Sequence, residues 1–99
     1  MTLEEFLGQH REIAKTSLDD QVIAIAWFFA AHESKPRFTL DEIMDRFAAV
    51  GINTWDIPTA INRLSLRENG KLLPHDVGLK SSYCLARHVK DELDQQYMI

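Results

Sequence analysis

Ten consecutive apolar residues, Val22 to Ala31, constrain this chain more than any other feature. The run contains Val22, Ile23, Ile25, Trp27, Phe28 and Phe29, so a helix through it is apolar nearly all round. Such a helix has no face to offer to water and must be contacted from several sides. It is too short to span a bilayer, which takes roughly 20 apolar residues. The run therefore predicts a central core helix over about 19–33, around which the rest of the 99 residues must pack. Asp19 and Asp20 precede it, where the positive end of a helix dipole favours carboxylates. Lys35-Pro36 ends it.

The flanking segments supply the packing partners. Thr2 and Glu5 form a capping box that opens a first helix. Leu3, Phe6, Leu7, His10, Ile13 and Ala14 recur in it at helical spacing, to about Lys15. Arg37-Phe38 reads as a short extended piece. A second capping box, Thr39 with Glu42, opens a helix whose stripe is Leu40, Ile43, Met44, Phe47 and Ala48. Gly51 follows where a helix C-terminus wants positive φ. A further helix over 54–68 starts near Thr54 to Pro58, since a first turn tolerates proline. It buries Ile57, Ala60, Ile61 and Leu64 and is closed by Asn69-Gly70. Lys71 to Pro74 and Ser81 to Leu85 read as two strands, with Tyr83 and Leu85 on one face and Asp76-Val77-Gly78 turning between them. A last helix, about 87–97, continues a stripe of Leu85, Val89, Leu93 and Tyr97. The expected fold is mainly α with a small β-hairpin. It forms a single domain over 1–99 with its core in about 20–95 and helix 2–16 as an extension.

Charge is unevenly spread. The net charge is −4. Residues 1–58 hold five basic and ten acidic side chains, residues 59–90 six basic and two acidic, and residues 91–99 three acidic. A basic segment inside an acidic chain is a possible electrostatic footprint for nucleic acid, and equally an ordinary solvated surface. The single cysteine, Cys84, offers no internal disulfide, as expected of a reducing, cytoplasmic setting. The start of the chain is acidic where a signal peptide would be basic.

From Phe38 to Leu85 the order of elements resembles the winged helix-turn-helix superfamily of bacterial and phage DNA-binding domains. The matching residues are Phe38-Thr39 entering the first helix of the pair, Ile43 and Phe47 on its inner face, and Gly51 in the turn. Ala60, Ile61 and Leu64 match the inner face of the second helix, Gly70-Lys71-Leu72 the start of the wing, and Tyr83-Cys84-Leu85 its return. The resemblance implies that helix 54–68 enters the major groove of duplex DNA while the wing, 71–85, with its tip at His75 to Lys80, touches the backbone. Winged helices also serve as protein-docking modules and dimerisers, so the fold leaves the function open.

At about 100° per residue, the face opposite Ile57, Ala60, Ile61 and Leu64 carries Trp55, Thr59, Asn62 and Leu66, with Arg63 to one side. Asn62 suits bidentate pairing with adenine, and Arg63 or Arg67 with guanine or phosphate. Thr59 suits a phosphate or a thymine methyl. Lys71, His75 and Lys80 would hold backbone from the wing. Trp55 and Leu66 fit DNA poorly. If exposed, they would form a protein-docking patch; alternatively, Trp55 folds back onto the core and the helix ends before Leu66. The stripes Leu3, Phe6, Leu7, Ile13 and Val89, Leu93, Tyr97, Met98-Ile99 would either make a homodimer interface or complete the monomer's core.

Catalytic and metal-binding patterns are missing. His10, His32, His75 and His88 have no zinc-ligand spacing to each other or to Cys84. The four glycines are scattered rather than gathered in a phosphate loop. No serine has a nucleophile-elbow context, and Cys84 reads as an inert buried thiol. The expectation is a binding protein without enzymatic activity, cofactor, metal or membrane partner. Its first reading is a duplex-DNA-binding regulator or accessory factor, and its alternative a protein-interaction module or adaptor subunit.

Overall fold

The computed structural model describes residues 2–52, 54–66, 70–77 and 80–97, with the backbone alone at 76, 77 and 80. The chain is mainly helical with a small antiparallel sheet. Its elements are α1 (Leu3–Gln9), a 3₁₀ turn (Arg11–Lys15), α2 (Leu18–His32), β1 (Arg37–Thr39), α3 (Leu40–Ala49), α4 (Ile57–Ser65), β2 (Leu72–Val77), β3 (Lys80–Leu85) and α5 (Arg87–Tyr97).

Local chemistry sets most of the boundaries. Ser17 caps α2 by accepting from the Asp20 amide. Thr39 and Glu42 form both halves of a capping box at the start of α3. At the other end of α3 the Ile52 amide donates to the Phe47 carbonyl at 2.9 Å and the Gly51 amide to Ala48 at 3.1 Å. That is a Schellman closure, and it needs the left-handed backbone that Gly51 adopts at φ +80°. The first predicted helix is shorter than its apolar spacing suggested. It stops at Gln9, and the chain re-enters a 3₁₀ turn. His10, with φ −122° and ψ 63°, makes the break and lets Ile13 reach the core from a second direction.

Helix α2 is the centre of the molecule. Every residue from Val22 to Phe29 is buried. Phe6 of α1 packs on the rings of Trp27 and Phe28, with centroids at 5.6 and 5.4 Å, and meets Tyr97 of α5 edge-on at 5.3 Å. Trp27 is fully buried, and its indole N–H donates to Asp94 Oδ1 on α5 at 2.8 Å. That bond satisfies the one polar atom the core tryptophan brings inside. The outer helices therefore complete the monomer. Leu3, Phe6 and Ile13 are buried, and Leu7, Leu93 and Tyr97 pack on the same cluster with buried Val89. Of the two roles open to these stripes, completing the monomer's core is the one their packing shows. Met98 and Ile99 lie outside the described residues.

The sheet has strand order β1-β3-β2, all antiparallel. Phe38 and Leu72 are buried on its inner face, with Tyr83 and Leu85 packed beside them. Alternation puts Leu73 and Cys84, paired across the strands, on the outer face. Cys84 is half-buried rather than fully enclosed. The hairpin is longer than predicted. β2 runs on through Asp76 and Val77, so these residues are paired strand rather than turn, while Gly78 lies outside the described residues.

Candidate nucleic-acid interface

Helix α4 is held by one face. Ile57, Ala60, Ile61 and Leu64 are buried at i, i+3, i+4 and i+7, and the helix lies on α2 and beside β2. Its bounds are Ile57–Ser65, narrower than the predicted 54–68. The segment before it stays in a turn, with Pro58 in the first helical turn and Asp56 at the N-cap position. The chain leaves the helix at Leu66, whose backbone is extended. Gly70 then takes φ +59° and donates its amide to the Leu66 carbonyl.

Thr59, Asn62 and Arg63 are exposed on the outer side of α4. Spaced at i, i+3 and i+4, they are neighbours on a helix surface. Lys71 and His75 are exposed at the start and middle of the hairpin. Ser82 donates its hydroxyl to the His75 carbonyl at 2.8 Å, which pins the two strands of the hairpin together there. Of the remaining predicted residues, Arg67 and the side chain of Lys80 lie outside the described residues.

The structure adds a partner that the sequence did not suggest. Arg63 donates from Nε to Asp19 Oδ2 at 2.9 Å and from Nη2 to Asp19 Oδ1, a bidentate pair joining α4 to the first turn of α2. The helix dipole accounts for an acidic residue at Asp19, and nothing in the sequence pairs two residues 44 positions apart. The Arg63 hydrogen bond holds the Asp19 carboxyl below its usual range, with the charges of Arg63 and Lys71 adding to the effect against partial burial. The same bond raises Arg63, helped by the charge of Asp56. Among the described residues, the charge of Lys71 thus bears on Asp19 and that of Asp56 on Arg63.

Trp55 does not fold back onto the core. It is 84 % exposed, ahead of the first turn of α4, and this corrects the inward alternative. Leu66, just past the helix end, is 53 % exposed, and Leu73 on β2, which the sequence reading did not single out, is 47 % exposed. The strand alternation that buries Leu72 was the available signal for Leu73.

His10 sits at the core edge against Phe6 and Tyr97, as its place on an apolar stripe implied. Among the described residues no three His, Cys, Asp or Glu side chains gather as a metal site. No helix among them is long and apolar enough to cross a membrane. Comparison with protein families, with curated proteins and with solved structures finds no match to this chain.

Proposed function

We propose that this chain is a winged-helix domain that binds duplex DNA, with α4 as the recognition helix and the β2–β3 hairpin as the wing. The observation that carries the reading is the arrangement of α4. Its apolar inner face is buried, and it leaves Thr59, Asn62 and Arg63, the last paired with Asp19, on its outer face, beside a hairpin that Lys71 leads into. The element order from α2 to β3 and the strand order β1-β3-β2 agree with the winged-helix resemblance. In that role Asn62 reads a base edge, Thr59 and Arg63 contact a base or phosphate, and Lys71 and His75 hold backbone from the hairpin. The domain would act as a regulator or accessory factor in the cytoplasm.

The test is fluorescence anisotropy of the full chain with labelled random duplex DNA, titrated across salt. Binding that weakens steeply with salt, in a log–log line whose slope counts phosphate contacts, supports the reading. No binding at low salt overturns it, because sequence-independent affinity is greatest there.

A second reading, docking of a protein partner, is favoured by one specific observation, the 84 % exposure of Trp55. Exposed tryptophan is rare on surfaces without partners and common at the centres of interfaces. Under this reading Trp55→Ala abolishes complex formation, whereas under the DNA reading it leaves duplex binding largely intact.

A further inference from the structure

The Asp19–Arg63 pair contributes little to holding the fold. Helices α2 and α4 are already joined through buried Ile57, Ala60, Ile61 and Leu64, and both partners of the ion pair remain in contact with solvent. An exposed pair of this kind adds little to stability. Nor does Asp19 need Arg63 in order to stay ionised. It lies in the first turn of α2, where the helix dipole favours a carboxylate, and Lys71 also lowers it. Asp19 is thus a fixed negative charge placed against the outer side of the helix that carries Thr59, Asn62 and Arg63.

Sequence-independent DNA binding is a sum of cations on phosphates. An arginine clasped by a carboxylate brings no net charge to that sum, and the carboxylate itself repels the backbone. Specificity is a difference between two affinities, and a repulsive element against the wrong partner raises it as surely as a contact to the right one. From this geometry we propose that Asp19 is a specificity-determining residue. By clasping Arg63 and opposing phosphate, it suppresses binding to arbitrary duplex, so that α4 is retained only where its base contacts are satisfied. The inference rests on the DNA reading and names how the same face is kept selective.

The experiment compares the full-length wild type with Asp19→Asn, Asp20→Asn, Arg63→Gln and the Asp19→Asn/Arg63→Gln double variant, using random duplex DNA across salt. Asp19→Asn is expected to tighten binding severalfold at low salt. It should also steepen the log–log salt slope by about 0.9, the signature of one further phosphate contact. Asp20→Asn removes the same formal charge one residue away and is expected to leave the slope unchanged. In the Arg63→Gln background, Asp19→Asn should add nothing to the slope. If the wild type binds and Asp19→Asn leaves both affinity and slope unchanged, or if Asp20→Asn has the same effect, this inference is overturned and the DNA reading stands. If the wild type does not bind duplex at low salt, the DNA reading and this inference are both overturned, whatever Asp19→Asn does.

Discussion

Helices α2 and α4 lie against each other, yet they distribute their apolar side chains in opposite ways. In α2 the residues from Val22 to Phe29 are buried without a break, and α1, α3, α4 and α5 all pack around it. In α4 only Ile57, Ala60, Ile61 and Leu64 are buried, and Thr59, Asn62 and Arg63 face outward. The first pattern leaves no surface for a partner. The second fixes a helix firmly while keeping most of its circumference available. The contrast extends to the two tryptophans: Trp27 in α2 is fully buried, whereas Trp55 ahead of α4 is 84 % exposed.

The contrast is broken most directly at Trp27. Trp27→Ala should destabilise the protein by about 3–5 kcal/mol, from lost burial and the cavity left behind. Chemical denaturation measures it, and a loss below about 1 kcal/mol would mean that α2 is not the central element. Gly51→Ala comes next, at about 1–2 kcal/mol, because a left-handed residue with a Cβ is strained whatever the room around it. That cost falls on the turn that leads from α3 towards α4, so it tests whether the placement of α4 depends on its connection.

A smaller effect concerns pH. Asp19 and Asp94 are both held below the ordinary carboxylate value of 3.8, the first by Arg63 and the second by the Trp27 N–H and Lys90. Folded values lower than unfolded ones mean that their contribution is present above pH 3.8 and is lost as the pH falls through the folded values. Asp94→Asn should therefore flatten the acid limb of a stability profile, and an unchanged limb would show that the bond to Trp27 is not formed in solution. Tyr97 works in the other direction. Burial, with the charges of Glu12 and Asp20, raises it above 10.0, so its contribution is present below that pH and fades as the pH rises through the folded value.

The smallest change in stability is expected at Trp55. Trp55→Ala should alter unfolding free energy by no more than about 0.5 kcal/mol, as for other surface positions outside the core. Paired with Trp27→Ala, it would show one residue type serving the core in one place and the surface in the other. A loss comparable to that of Trp27→Ala would instead show that Trp55 packs on the protein in solution.

Much of this was legible in the chain because the signals were local. The Thr2 cap on the Glu5 amide, the capping box at Thr39, the Gly51 closure, the stripe of α4 and the apolar run of α2 each lie within one turn or one helix. Errors came where two distant segments compete or cooperate. The first helix was read through His10 because apolar spacing alone does not register a change of direction. For the stripes of the outer helices, periodicity shows that a face is buried but not against what, so it allows a second copy and the monomer's own core alike.

The sequence by itself determined which helix must be central, where α3 begins, and which side of α4 faces the core, since these follow from side-chain periodicity and from hydrogen bonds made within a few residues. Tertiary structure alone decided two further matters: that Asp19 clasps Arg63 and that Asp94 satisfies Trp27. Each depends on the distance between groups far apart along the chain, and a contact between such groups exists only once the helices have packed.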